Sequence, residues 1–320
     1  MTINHSRSIN ESDGEFDMNK IEQIMTDCDI CPRNCHVNRN AGKKGFCGAG
    51  SRPKLGRISL HNWEEPPISG ERGSGALFFT DCNLKCCFCQ NYAISQESAG
   101  REIDVDELAE KFLYLQYNGA HNINLVTPSH FVPQIASAIR IARLMGLKIP
   151  IVYNTSAYEK VETLKTLEGL VDVYLPDLKC ISPEISRFYF SAPNYFAFAS
   201  AAILEMIRQV GPVVLDEEGI IQSGVIVRHL VLPGGVADSI RCLEWAKEYL
   251  PQGVYISLMA QYIPFYHAVK HPEINRRLTR EEYQLVVDKM DELGFEDGFV
   301  QGLESATEDY VPSFDLTGVV

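Results

Sequence analysis

The chain has 320 residues, 45% of them apolar and 22% charged, with a net charge of −13 at neutral pH. That length and apolar share supply one large hydrophobic core or two ordinary ones. The acidic balance argues against nucleic-acid and anionic-membrane partners, which recruit basic patches.

In chain order, the opening run "MTINHSRSINESDGEFD" is polar and has no apolar stretch of the kind an export signal carries. Residues 1–20 are expected to form a disordered tail. The longest uncharged, fairly apolar stretch, 191–204, is too short to cross a bilayer and contains Pro193 and Asn194. A cytoplasmic location is therefore expected. In a reducing compartment, ten cysteines point to metal or redox chemistry rather than disulfides.

Residues 21–70 are expected to form a small metal module and linker. Cys28, Cys31, Cys35 and Cys47 run C-x2-C-x3-C-x11-C, with Pro32 and Gly48 suited to turning the chain round the ligands. Four thiolates fill either a tetrahedral zinc site or all the irons of an auxiliary [4Fe–4S] cluster. Such a closed site is structural or conducts electrons, and the spacing leaves both metals open. Glu64 and Glu65, in "HNWEEPPISG", read as part of a solvated linker, although they could also reach a site.

Residues 71–300 alternate apolar strands with amphipathic helices. Strands are predicted at 76–80, 123–127, 150–154, 171–177, 224–232 and 254–258. Helices are predicted at 105–116, 132–145, 157–167, 193–210, 238–249 and 279–293. The first helix has Asp104 as its N-cap, and the last opens on a capping box of Thr279 and Glu282. Strands this apolar are buried on both faces, as parallel strands are. The fold class is thus α/β, a partial (β/α)6-type TIM barrel, whose site lies at the C-terminal ends of its strands. Residues 301–320 form an aromatic tail, with Tyr310, Pro312, Phe314 and Asp315, able to fold back on the barrel.

The first barrel strand ends in "TDCNLKCCFCQNY". Cys82, Cys86 and Cys89 place three thiolates on one loop, and a cubane cluster ligated by only three cysteines keeps one iron open for a small molecule. A zinc knuckle would instead repeat C-x2-C pairs, and Cys87 also permits C-x4-C and C-x-C pairings. The other strand ends supply polar groups. Thr127, Ser129 and His130 follow the second strand, Asn154 and Thr155 the third, and Asp177 and Lys179 the fourth. Arg228 and His229 lie on the fifth; Gln261, Tyr262, Tyr266 and His267 follow the sixth. Asp177 and Lys179, two apart, face the same side and can hold a zwitterion, or simply pair with each other. Arg228 can equally serve a carboxylate, and His229 can be a core histidine. Cys180 should point away, and Cys242 belongs to a helix core.

The runs "CPRNC", "GFCGAG", "HNWEEPPISG", "GSGALFFTDCNLKCCFCQNY", "LVTPSHF", "YLPDLK" and "RHLVLPG" together resemble the radical SAM superfamily. Within it they resemble the pyruvate formate-lyase activating enzyme-related proteins, over about residues 28–310. The resemblance implies a [4Fe–4S] cluster on Cys82, Cys86 and Cys89, with S-adenosylmethionine (SAM) at the open iron. It places Phe88 near the adenine and assigns Asp177 and Lys179 to the cofactor. Asn91, Ser129, Asn154, Arg228 and Gln261 complete the expected SAM-binding set. The implied chemistry is reductive cleavage of SAM to methionine and a 5′-deoxyadenosyl radical, which takes hydrogen from a substrate. In an activating enzyme that substrate is a glycine of a partner protein, and the electron comes from a donor such as flavodoxin or ferredoxin. A radical SAM enzyme acting on a small molecule and a non-catalytic iron–sulfur carrier are the rival readings. One departure stands out: the Gly-Gly-Glu turn usual after the second strand is replaced by "TPSH". Thr127, Ser129 or backbone carbonyls are expected to substitute for its contact with the SAM amino group.

Overall fold

The computed structural model describes residues 12–307 and 311–320. Its strands are β1 (Lys54–His61), β2 (Ser74–Phe79), β3 (Arg101–Glu102), β4 (Ile123–Val126), β5 (Ile151–Thr155), β6 (Val173–Pro176), β7 (Val214–Leu215), β8 (Ile221–Leu230), β9 (Tyr255–Met259) and β10 (Gly298–Val300). They form one sheet in the order β10-β9-β8-β6-β5-β4-β2-β1-β3, with β7 beside β8. From β2 to β10 every neighbouring pair is parallel. Every residue of β2, β4 and β6 is buried, as strands covered on both faces must be. The path ends at β3 and β10 without closing, so the barrel is partial.

The helices are α1 (Ser12–Thr26), α2 (Pro66–Ser69), α3 (Tyr92–Ser95), α4 (Val105–Tyr117), α5 (Val132–Leu144), α6 (Val161–Lys165), α7 (Pro183–Phe190), α8 (Tyr195–Val210), α9 (Val236–Tyr249) and α10 (Arg280–Glu292). Asp104 accepts the Glu107 N–H to cap α4, and Thr279 with Glu282 forms the expected capping box on α10. The helix expected over 157–167 is confined to α6. Ala157 adopts a left-handed backbone (φ 59°), and Glu159 is drawn inward by hydroxyl partners.

Three expectations need correction. Of the tail expected over residues 1–20, residues 1–11 lie outside the described residues, but from Ser12 the chain is helical. Buried Ile21 and Met25, with Ile24, cluster with Cys28 and Ile30; this short apolar stripe follows a polar run that hides its period. Residues 54–61 are not linker but β1, which pairs antiparallel with β2. Its alternating polarity reads as linker because a strand's pairing is set by tertiary neighbours more than by its own composition. The barrel also gains a seventh parallel strand, β10, short and largely exposed, which leaves little apolar signal in the sequence.

The C-terminal segment does fold back. Ile58 N–H donates to Thr317 O at 2.9 Å, and Leu316 N–H to Gly56 O at 3.1 Å, while Phe314 meets Phe78 edge-on at 5.7 Å. Tyr310 lies outside the described residues. Among the described residues no helix is long and apolar enough to cross a membrane.

Candidate active site

Parallel register brings the strand ends to one rim. Val126 stands beside Asn154, Thr155 beside Pro176, Asp177 beside Arg228, and Arg228 beside Ser257. The loop leaving β2 delivers Cys82, Cys86 and Cys89 to this rim, where all three line a cavity of about 270 Å³. That volume is close to the lower end for small-molecule sites, about 300 Å³. Phe88, Asn91, Asn154, Asp177, Lys179, Arg228 and Gln261 line the same cavity. Cys87 does not. It is buried behind the loop, its N–H donating to Tyr189 O at 2.9 Å and its carbonyl accepting from His267 N–H at 2.8 Å. Of the possible spacings, C-x3-C-x2-C is therefore the one that faces the cavity.

Lys179 Nζ donates to Asp177 Oδ2 at 2.5 Å. Burial works against the ammonium, but the Asp177 carboxylate and the nearby Cys86 outweigh it and raise the Lys179 pKa. The thiols behave oppositely. Burial pushes Cys82 up to about 11 and raises Cys86 and Cys89, with partial relief from N–H donors and from Lys179. Bare, these thiols keep their protons at neutral pH, so a metal that takes them as thiolates must displace those protons. The Phe88 ring meets Phe190 and Tyr262 edge-on at 5.7 and 5.2 Å, which fixes its orientation at the cavity wall.

Ser129 is not in this group, contrary to expectation. The chain after β4 turns inward through Ser129–Phe131, and Ser129 Oγ donates to Glu159 Oε1 at 2.5 Å. Thr155 Oγ1 and Tyr153 OH bond the same oxygen at 2.6 and 3.2 Å. His130 is likewise buried, its Nε2 2.7 Å from Thr80 O, while its carbonyl accepts from Arg39 Nη1 at 2.8 Å. The "TPSH" turn thus ties the barrel to the N-terminal module, and of its residues Thr127 (φ 60°) reaches the cavity wall. His229 is a core histidine, with Nδ1 2.6 Å from Leu178 O. Tyr266 and His267 stay outside the cavity, Tyr266 stacked on Tyr92 at 4.9 Å. Cys180 and Cys242 are buried elsewhere.

Glu64 and Glu65, read as solvated, turn inward instead: Glu65 is buried, and the Glu64 side chain is 9% exposed. Pro66 opens α2 and Ile68 is fully buried, which anchors the chain under the barrel and points both carboxylates inward. Arg228 Nε donates to Glu65 Oε1 at 2.9 Å, Nη2 donates to Glu65 Oε2, and Nη2 also reaches Glu64 Oε2 at 2.5 Å. Glu64 Oε1 accepts from Asn124 Nδ2 at 2.8 Å and more distantly from Asn154 Nδ2 at 3.5 Å. Glu64, for which the linker reading was preferred, also lines the cavity, as do His61, Trp63 and Gln90, which the sequence did not single out. For Glu64 a signal existed: a buried Arg228 on an apolar strand needs a counter-charge, and the acid pair ahead of Pro66 could supply it.

The four N-terminal cysteines line a second, small cavity together with Arg39 and His130. Phe46 N–H points to Cys35 Sγ at 3.3 Å, Ala49 N–H to Cys47 Sγ at 3.5 Å, and Arg39 Nη1 to Cys28 Sγ at 3.7 Å. Gly48 takes φ 92°, and a Cβ on Gly45 would lie 2.8 Å from Cys35 Sγ. Arg33 lies between the two cysteine sets, with Nε bonded to Asn83 O at 2.8 Å. Burial lowers its pKa, against the pull of Tyr158, Cys31, Cys82 and Cys35.

The radical SAM superfamily model matches residues 77–234, the span that carries the cysteine loop and the strands from β4 to β8. The chain is 32% identical over 278 residues to the uncharacterized protein MJ0674 of Methanocaldococcus jannaschii, covering 83% of this chain and 75% of that one. The chain belongs to the radical SAM superfamily. A second relative from the same organism, the uncharacterized protein MJ0808, is 26% identical over 178 residues, half of each chain. Among solved structures, Streptococcus suis SuiB bound to S-adenosylmethionine matches with TM-score 0.48 and 14% identity, over 70% of this chain and 49% of that one. HydG, a maturase of the [FeFe]-hydrogenase, matches with TM-score 0.46 and 14% identity, over 69% and 49%. The chain spans about half the length of these solved structures.

Radical SAM proteins bind a [4Fe–4S] cluster and SAM, and the donor set of this cavity suits both: three thiols line it together with carboxylate, ammonium, amide and aromatic groups. Among the described residues no group of three or more His, Cys, Asp or Glu is placed to hold a single ion.

Proposed function

We propose that this chain is a radical SAM enzyme that cleaves SAM reductively, with Cys82, Cys86 and Cys89 holding the cluster. The observation that carries the reading is the single cavity that those three cysteines, and not Cys87, share with the polar strand ends. When bound, the reduced cluster supplies the electron that breaks SAM into methionine and a 5′-deoxyadenosyl radical. The chain's own residues bind and orient. Asp177 and Lys179 meet the two charges of the methionine end, Phe88 gives the adenine a flat apolar face, and the barrel wall excludes water from the radical. Anaerobic reconstitution with iron and sulfide, followed by dithionite and SAM, should yield 5′-deoxyadenosine. Its absence from a fully loaded protein would favour the carrier reading.

The substrate we infer is a protein, a glycyl-radical partner in particular, and the electron donor a small carrier such as flavodoxin or ferredoxin. What supports this is the resemblance of "GSGALFFTDCNLKCCFCQNY" and its companion runs to the activating enzyme-related group. A glycyl EPR doublet in a candidate partner, present only with this chain, is the expected result. A panel of partners with none would favour a small-molecule substrate. Cys28, Cys31, Cys35 and Cys47 hold a second metal. Zinc and an auxiliary cluster both fit four thiolates, and Arg33 lies between this centre and the SAM loop.

A further inference from the structure

One side chain of the N-terminal metal loop reaches into the SAM loop. Arg33 stands between two of the N-terminal thiols, Cys31 and Cys35, yet its guanidinium leaves that module. Nε donates to Asn83 O at 2.8 Å, inside the stretch between Cys82 and Cys86. Nη1 donates to Ser191 O at 2.7 Å, at the C-terminal end of α7. The SAM loop already hangs on that helix end: Tyr189 O accepts from Cys87 N–H at 2.9 Å, and Phe190 O from Lys85 N–H at 3.1 Å. Arg33 completes the bracket and joins it to the metal module.

The guanidinium is seated firmly. It lies over the Phe46 ring at 3.7 Å, one residue before Cys47, with the Tyr158 ring at 5.0 Å, a planar stack that suits arginine. Asn83 is fully buried and held at its other end too, its Nδ2 donating to Tyr158 O at 2.8 Å. The third nitrogen of Arg33, Nη2, is buried with no hydrogen-bond partner among the described residues. A buried donor on a cation is costly to leave unmade, so Nη2 calls for an acceptor that the polypeptide does not supply. The thiols of Cys31, Cys82 and Cys35 all act on the Arg33 charge, and they come from both cysteine sets.

We propose that Arg33 is a positioning residue for the loop cluster: it holds the Asn83 backbone against α7 and fixes one positive charge between the two cysteine sets. This role rests on the reading of Cys82, Cys86 and Cys89 as cluster ligands. Reduction adds one negative charge to a cluster, and its potential follows nearby charge and hydrogen bonds. A fixed cation therefore favours the reduced state, which is the state that donates to SAM.

The test uses the full chain with its centres reconstituted, checked by iron content and melting temperature. Arg33→Gln removes the charge and keeps a planar donor, while Arg33→Lys keeps the charge and loses the fork. The first arm is a redox titration followed by EPR on the signal that Cys86→Ala erases. Arg33→Gln should make that cluster about tenfold harder to reduce, a potential about 59 mV lower for a one-electron couple, with Arg33→Lys between it and wild type. The second arm is amide hydrogen exchange over residues 82–91, which both substitutions should speed. An unchanged potential in Arg33→Gln, or one as low in Arg33→Lys, overturns the charge assignment. Exchange equal to wild type in both variants overturns the bracket. If the wild type gives no signal that Cys86→Ala erases, the cluster reading falls, and the exchange arm alone decides whether Arg33 holds the loop.

Discussion

Asp177→Asn separates a ligand clamp from an idle ion pair. In the free chain Asp177 and Lys179 satisfy each other across 2.5 Å, each side chain 22% exposed. If the pair is only structural, the variant loses folding stability and nothing else. If Asp177 and Lys179 open to receive the two charges of the methionine end, the variant loses one charge-assisted contact to SAM. Such a contact contributes about 1.5–3 kcal/mol; partial solvent access places the expected loss near 2 kcal/mol, or about 30-fold in affinity. Cluster assembly should be untouched, because the cysteine ligands and their N–H donors do not involve Asp177. Anaerobic calorimetry with SAM, beside iron analysis of the same sample, reads both quantities. Unchanged SAM affinity at full iron would refute the clamp, and loss of iron would mean that Asp177 shapes the loop instead.

Further outcomes follow from neighbouring residues. Cys86→Ala should abolish 5′-deoxyadenosine formation and leave the N-terminal metal in place. Cys31→Ala should remove the N-terminal metal, read as a fall of about four irons per chain or, if that centre is zinc, as loss of the zinc. Cys87→Ser should retain the iron and the turnover of wild type, since Cys87 faces away from the cavity; loss of the cluster in that variant would overturn the ligand assignment. Glu159 is an acid whose burial raises its pKa above the ordinary 4.5 despite three hydroxyl partners. A raised folded-state value means that the protonated form stabilises the fold below the unfolded pKa and that this stability is lost as pH rises through the folded value. Glu159→Gln accepts the same hydroxyl bonds and carries no charge. Its melting temperature relative to wild type should therefore climb between pH 5 and pH 8; a constant difference would contradict the burial argument.

The parallel barrel was legible because its strands are nearly all apolar and separated by capped amphipathic helices. The same rule that puts sites at strand ends led to Asn154, Asp177, Lys179, Arg228 and Gln261, all of which share the cavity with the cysteines. Ser129 failed because sequence position after β4 does not fix which way a turn faces, and here the buried Glu159 draws its hydroxyl inward. Glu64 was assigned to a solvated linker, ahead of the alternative that it reaches the site, for a related reason. A Glu-Glu-Pro-Pro run reads as solvated until the tertiary fold supplies Arg228, whose sequence separation from Glu64 is 164 residues. β1 and β10 escaped notice because strands with one wet face lack the apolar run that marks their buried neighbours.

The most direct measurement is the EPR spectrum of the dithionite-reduced chain before and after SAM, in a Cys28→Ala/Cys31→Ala background that leaves only the loop cluster. An iron without a protein ligand should take SAM directly, shifting the signal of the loop cluster, and Cys86→Ala should erase it. A signal from Cys82, Cys86 and Cys89 that ignores saturating SAM would mean that the cluster is closed, and the radical chemistry would have no place to begin.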